Sequence, residues 1–385
     1  MVMGTGLYDG DASGSRTDIS LQTLYWELLS QDELLDAADR TTAQVGTDEY
    51  IANKPSAHQD GPTLASGVRS RLPRVCQVLD IAGDIFVFEQ DGCGSKLQRF
   101  SSSEHKWQLQ TLPMVAHAAV LSPVEPWVAI VLHCPSDWNS DHRYEVHTFD
   151  TDTCECKELW VSSSKSNQLV DAGIAPKRRC GFSVVGFDRW IYFLGGLQHF
   201  PGDVTGSFVY CFSLDECVWT EVEYSGIFPA PYPECPYAGC RFGQSCVVHD
   251  SRAWLFGGCV RAGAGVAPTD SLFTFDLIEH RWDAVSVNGF KSPPPMSGHA
   301  AVVSCGHMLV FGGQGASQEI YSFSMAAGRW GELPPIMLGP RPADGQVFCC
   351  LSGSRLVAYQ RSLKDPFDAS LTQKHELFSL DISTV

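Results

Sequence analysis

The chain has 385 residues and a net charge of −17, from 27 Lys and Arg against 44 Asp and Glu. That balance argues against nucleic acid or an acidic membrane surface as a partner, because affinity there depends on cations that neutralise phosphates. Thirty-five glycines, 22 prolines and an aromatic share of 11% favour many short strands over long helices, in two medium domains or one large repeat array.

In chain order, the opening MVMGTGLYDGDASGSRTDIS has no basic segment followed by an apolar one, so it lacks the pattern of a secretory leader. Residues 1–19 are expected to be a disordered tail. The longest apolar runs, such as VAIVL at 128–132, are too short to span a bilayer. Fifteen cysteines are an odd number in a large chain, and several (Cys211, Cys246, Cys349) sit in strand-like runs where they act as small hydrophobes. No Asn-x-Ser/Thr acceptor occurs. These features predict reduced thiols and a cytoplasmic location, with the nucleus left open.

An isolated LYWELLS lies within 20–30. Leu21, Leu24, Tyr25 and Leu28 fit an amphipathic helix, but Trp26-Glu27-Leu28-Leu29 also matches a strand seen later at Trp330-Gly331-Glu332-Leu333. Residues 31–71 begin with QDELLDAADR, which reads as a helical turn or two. A polar stretch without periodicity follows, as expected of a flexible excursion.

The rest, 72–385, is repetitive. RRCGFSVVGFDRWIYFLGG…VYCFSLDECVW, CRFGQSCVVHDSRAWLFGG…LFTFDLIEHRW and MSGHAAVVSCGHMLVFGG…IYSFSMAAGRW share one long pattern. Each has a glycine with small residues, a Val-Val strand (a) and an apolar strand ending in Gly-Gly (b). An aromatic strand (c) and a Trp strand (d) follow. A Phe precedes the Trp by seven residues at Phe212/Trp219, Phe275/Trp282 and Phe323/Trp330, and again at Phe100/Trp107. This is the pattern of a four-stranded antiparallel blade, which cannot bury both faces alone and must stack radially. Gly-Gly marks where neighbouring blades pack too closely for a Cβ.

With Gly195-Gly196, Gly257-Gly258 and Gly312-Gly313, the aromatics Tyr210, Phe273 and Tyr321, and Trp219, Trp282 and Trp330, the chain resembles the Kelch-repeat β-propellers. The resemblance implies an all-β, six-bladed propeller with blades near 72–112, 115–162, 175–225, 238–286, 296–335 and 340–385. The last blade lacks a d strand, and 20–30 is the segment expected to supply it and close the ring.

No phosphate loop or nucleophile elbow appears. GGQGAS (312–317) and RAGAGVA (261–267) join strand to strand, and Ser183 and Ser245 begin strands. His133, Cys134, His142, His147, Cys154 and Cys156 cluster in sequence, but a strand c from Tyr144 to Asp150 would carry Cys-x-Cys to the far end. No metal or cofactor is predicted. Cys349 and Cys350 point to opposite faces of one strand and cannot chelate together. The E-x-x-x-D-x-x-x-H iron motif of plant specifier-type Kelch proteins is only half present: Asp276 and His280 stand, but position 272 is Leu.

What remains is a binding surface. The d–a and b–c connections emerge on one face. There they collect Lys177, Arg178, Arg179, Arg241, Lys291 and Arg341 with Arg143, Arg261, Arg361 and Lys364, besides Trp138, His199 and Phe200. Arginines with aromatics are the residue types of binding hot spots. The expectation is a non-catalytic adaptor or scaffold that takes a protein or peptide, acidic ones included, at Arg143, Arg178, Arg179, Arg241, Arg261, Arg361, His199 and Phe200. The alternative is an epimerase- or mutarotase-like carbohydrate enzyme with its site in the central funnel. A ubiquitin-ligase role lacks a recognisable BTB or F-box segment, so recruitment would fall to 31–71.

Overall fold

The Phe-to-Trp spacing of seven is a hairpin read along the chain: Phe100, Phe212, Phe275 and Phe323 sit directly across strands c and d from Trp107, Trp219, Trp282 and Trp330. Their ring centroids lie 4.7–5.3 Å apart. A computed structural model of the chain describes residues 26–34, 74–91, 94–134, 143–160, 175–198, 208–227, 241–262, 265–287, 292–313, 319–331, 348–363 and 373–382. The fold is an all-β propeller of six blades with antiparallel sheets.

Strands a to d are Arg74–Ile81, Asp84–Asp91, Gly94–Ser101 and Lys106–Leu112 in blade 1, and Ala116–Leu121, Val128–His133, Glu145–Asp150 and Cys156–Trp160 in blade 2. Blade 3 has Ser183–Phe187, Trp190–Leu194, Val209–Ser213 and Val218–Glu221. Blade 4 has Ser245–His249, Arg252–Phe256, Leu272–Asp276 and Arg281–Ala284, and blade 5 has Ala300–Ser304, His307–Phe311, Tyr321–Ser324 and Arg329–Gly331. Blade 6 has Phe348–Ser352, Arg355–Leu363 and Gln373–Asp381.

The fourth strand of the sixth sheet is Trp26–Leu34, antiparallel to Gln373–Asp381, with Trp26 opposite Leu380. Leu380 holds the register position that Phe holds in the repeats. The strand continues four residues beyond the expected boundary at residue 30, so Gln31–Leu34 are extended where a helical turn was expected. Ladder hydrogen bonds to Gln373–Glu376 outweigh a local helical preference. Blade 4 also carries a fifth strand, Ser225–Gly226, parallel to strand d, which the repeat pattern does not announce.

The core is a ring of seams rather than a single centre. Six apolar clusters each join two neighbouring blades, and the last joins blade 6 (Val357, Tyr359, Leu377) to blade 1 (Val78, Ile85, Val87, Phe100). The strand-d tryptophans rest on the preceding blade: Trp282 on Phe208, Trp330 on Phe256 and Trp107 on Tyr359. Cys349 packs into the seam with blade 5 and Cys350 into the seam with blade 1, in keeping with their opposite faces. Each strand a touches the strands a of both neighbouring blades, so the six surround a central channel.

Candidate functional site: the mouth of the central channel

At one end of that channel the starts of strands a from all six blades line a cavity of about 430 Å³. The wall there is backbone as much as side chain. Gly243 N donates to Gly181 O at 2.7 Å and Gly298 N to Gly243 O at 2.8 Å, a ladder that ties blades 3, 4 and 5 together. All three glycines have left-handed φ, 65–68°.

The Gly-Gly pairs brace the same rim. Gly196 N donates to Arg241 O at 3.0 Å, and Gly258 N to Met296 O at 2.8 Å, each reaching into the next blade. A Cβ on Gly258 would stand 2.9 Å from the backbone N of Gln244 and O of Phe242, and φ there is +88°. Only glycine meets both demands.

The residue after each ladder glycine locks one blade to the one before. The Gln244 amide donates to Leu194 O at 3.2 Å, and His299 Nε2 pairs with Ser245 Oγ at 2.8 Å. Phe182 stacks on Phe193 with centroids 4.2 Å apart and meets Tyr144 of blade 2 edge-on. Ser183 Oγ donates to Gln244 O at 3.2 Å. Ser183 and Ser245 therefore serve blade-to-blade bonds.

Charge is sparse in this cavity. Among the described residues its lining holds Arg178 and Arg179 and no Asp or Glu, in a chain of net charge −17. His117 and His299 also line it. Burial is the main cause that lowers both imidazoles to about 4, with His133 and Arg178 adding to the effect at His117. Both are neutral at pH 7.

Residues 243–360 match the family model described as the KLHDC2/KLHL20/DRC7 Kelch-repeats domain. A Kelch-repeat domain is thus matched over that stretch, about a third of the chain. A stretch of 169 residues is 25% identical to the Caenorhabditis elegans "Putative protein tag-53", covering 42% of this chain and 12% of that relative's length. Among solved structures, "Structure of YjhT" superposes with a TM-score of 0.51 at 13% identity, over 80% of this chain and 94% of that one, a likeness of fold.

Two arginines expected on the surface of this propeller lie inside it. Arg179 and Arg241 are each only 3% exposed. Arg179 Nη1 donates to Gly195 O, and its guanidinium lies 5.3 Å from the Tyr210 ring centroid. Arg241 Nη1 donates to Gly257 O, Nη2 donates to Ser271 Oγ, and the group lies 5.1 Å from the Phe273 ring centroid. Each clamps the b–c corner of its own blade, because a guanidinium can span backbone carbonyl and aromatic face together. Desolvation pushes both below the ordinary arginine range, Arg241 to about 10.

The other expected residues divide. Arg143 Nη1 donates to Ala175 O at 2.6 Å, tying blade 2 to the segment that leads into blade 3. Arg178 is half-buried and lines the cavity. Arg261 lies in the ribbon Cys259–Ala262, paired with Gly265–Pro268, and Arg361 lies on strand b of blade 6. His199, Phe200, Trp138, Lys291, Arg341 and Lys364 fall outside the described residues. Sequence reasoning missed His117, Phe182, Gln244 and His299. For Phe182, Gln244 and His299 the signal was position, one residue after a glycine and just before strand a; His117 follows Ala116 inside strand a of blade 2 and carried no such mark.

The histidines of blade 2 partly converge. The His133 and His147 rings are 5.9 Å apart, and His147 Nε2 is 3.6 Å from Glu145 Oε2. Cys154 and Cys156 lie at the far end of the blade, in the c–d turn and strand d, and His142 is outside the described residues. Among the described residues no three His, Cys, Asp or Glu are placed to hold a metal. Asp276 caps its own turn by accepting from Ile278 N and Glu279 N, and His280 stacks on Phe275.

Proposed function

We propose that the propeller is a non-catalytic protein-interaction module whose channel mouth takes an acidic peptide segment, with Arg178 as the cation that receives it. The observation that carries this reading is the cavity itself: six blades contribute to it, Arg178 and the clamped Arg179 line it, and among the described residues no carboxylate does. An anionic side chain entering a partly desolvated rim beside a guanidinium gains a charge-assisted hydrogen bond. The exposed glycine backbone and the flat face of Phe182 suit an extended chain. Acid–base chemistry on a sugar needs a group that titrates near working pH, and imidazoles at about 4 are poorly matched to that task.

The test is quantitative affinity purification with wild type and Arg178→Glu, after equal melting temperatures are confirmed. A small set of proteins that binds wild type and is lost from the variant supports the reading, and an acidic segment within them should compete. An unchanged partner list refutes it.

A further inference from the structure

The opposite face of the propeller carries the a–b and c–d turns. In blade 2 the a–b turn reads Ser122-Pro123-Val124-Glu125-Pro126-Trp127. It holds two of the six large hydrophobic side chains exposed among the described residues, Val124 at 43% and Trp127 at 48%.

This turn is held firmly. Ser122 N donates to Val128 O at 2.8 Å, and Val128 N to Glu125 O at 3.0 Å. Ser122 Oγ accepts from Val124 N at 3.3 Å and Glu125 N at 3.2 Å. The Trp127 carbonyl accepts both Thr151 N (3.2 Å) and Thr151 Oγ1 (2.8 Å). Two prolines remove further freedom, and Pro123 leans on blade 3, where a Cβ on Gly186 would meet its Cδ at 3.1 Å. The chain therefore holds a half-exposed tryptophan on a backbone ordered during folding. Tryptophan on such a preorganised surface is a favoured interface anchor, since little further entropy is lost on binding.

Charge identifies the partner. Glu125 lies in the turn, Asp152 follows Thr151, and Asp188 sits on the neighbouring a–b turn of blade 3; all three are exposed. The nearby Arg189 is engaged by Asp215. A cation is attracted both by these carboxylates and by the indole face.

We propose that the Ser122–Trp127 turn is a second docking surface, for a protein segment that carries a lysine or arginine beside an apolar residue. The apolar residue covers Val124, the cation lies over Trp127, and Glu125 with Asp152 supplies the counter-charge. The surface is independent of the channel mouth and has the opposite electrostatic preference, so one propeller can hold two partners at once.

The test pans a random heptapeptide phage library against the full chain and measures the selected peptides by fluorescence anisotropy. The expected consensus contains Lys or Arg next to Leu, Ile or Phe. Its Kd should rise about thirtyfold in Trp127→Ala and about tenfold in Glu125→Lys/Asp152→Lys, and stay unchanged in Arg178→Glu. Should Trp127→Ala lower the melting temperature, the double charge reversal at two exposed positions carries the test. A consensus without a basic residue, basic peptides indifferent to both variants, or no enriched sequence overturns the proposal. Loss with Arg178→Glu alone moves the binding to the channel mouth and overturns it equally.

Discussion

Arg179 Nη1 donates to the carbonyl of Gly195 at 3.2 Å, and Arg241 repeats the contact at Gly257 at 2.7 Å, sixteen residues ahead in each case. Blade 5 places buried Met296 at the same distance before Gly312. Two chemistries thus fill one structural position.

That equivalence makes a prediction. Arg241→Ala strands the Gly257 carbonyl and leaves a void, at a cost of about 2–4 kcal/mol. Arg241→Met, the solution of blade 5, should cost only about 1 kcal/mol, because an apolar side chain of similar length fills the space and buries no charge. Urea titrations of the two variants check the difference. Equal losses would show that the guanidinium, rather than the filled volume, is what the corner needs.

The rim glycines differ in what they tolerate. Gly258→Ala places a Cβ 2.9 Å from two backbone atoms at positive φ and should destabilise by about 3 kcal/mol or more. Gly353 also has positive φ, 58°, but nothing lies within 4 Å of its Cβ position, so Gly353→Ala should cost about 1 kcal/mol. Thermal melts of the pair separate steric closeness from backbone conformation.

Acid should loosen the ring. Burial lowers His299 from 6.5 to about 4, so the unfolded chain binds a proton more readily between those values. Its contribution to stability is full above about pH 6.5 and is lost as pH falls toward 4, about 2 kcal/mol of it between pH 7 and 5. His117 acts in the same direction from a less buried site. Urea midpoints across that range should fall less steeply in His299→Gln. A variant with the wild-type slope would assign the acid sensitivity elsewhere.

Removing residues 1–34 uncovers the edge of Gln373–Asp381, along which eight residues of the N-terminal strand are registered. The expected result is a lower melting temperature and concentration-dependent association, since an unpaired edge recruits other strands. Light scattering and calorimetry on the shortened chain would show it. A monomer with unaltered melting would mean that the strand adds nothing to the sixth blade.

By itself the sequence determined the blade. A Phe and a Trp seven apart specify a c–d hairpin, Gly-Gly specifies a corner without Cβ atoms, and apolar alternation specifies which faces pack. These are local rules, each settled within one repeat. The fate of the arginines was not local. Arg178, Arg179 and Arg241 look alike before a strand, and pointing differs between neighbours because successive side chains alternate faces. Only the tertiary structure decided that the Arg179 and Arg241 guanidiniums turn back onto their own Gly-Gly corners, while Arg178 stays half-buried at the cavity wall. The glycine ladder was likewise invisible, because its bonds join residues about sixty positions apart and exist only once blades stand side by side. Burial, not residue type, separated the two clamped arginines from the half-buried one.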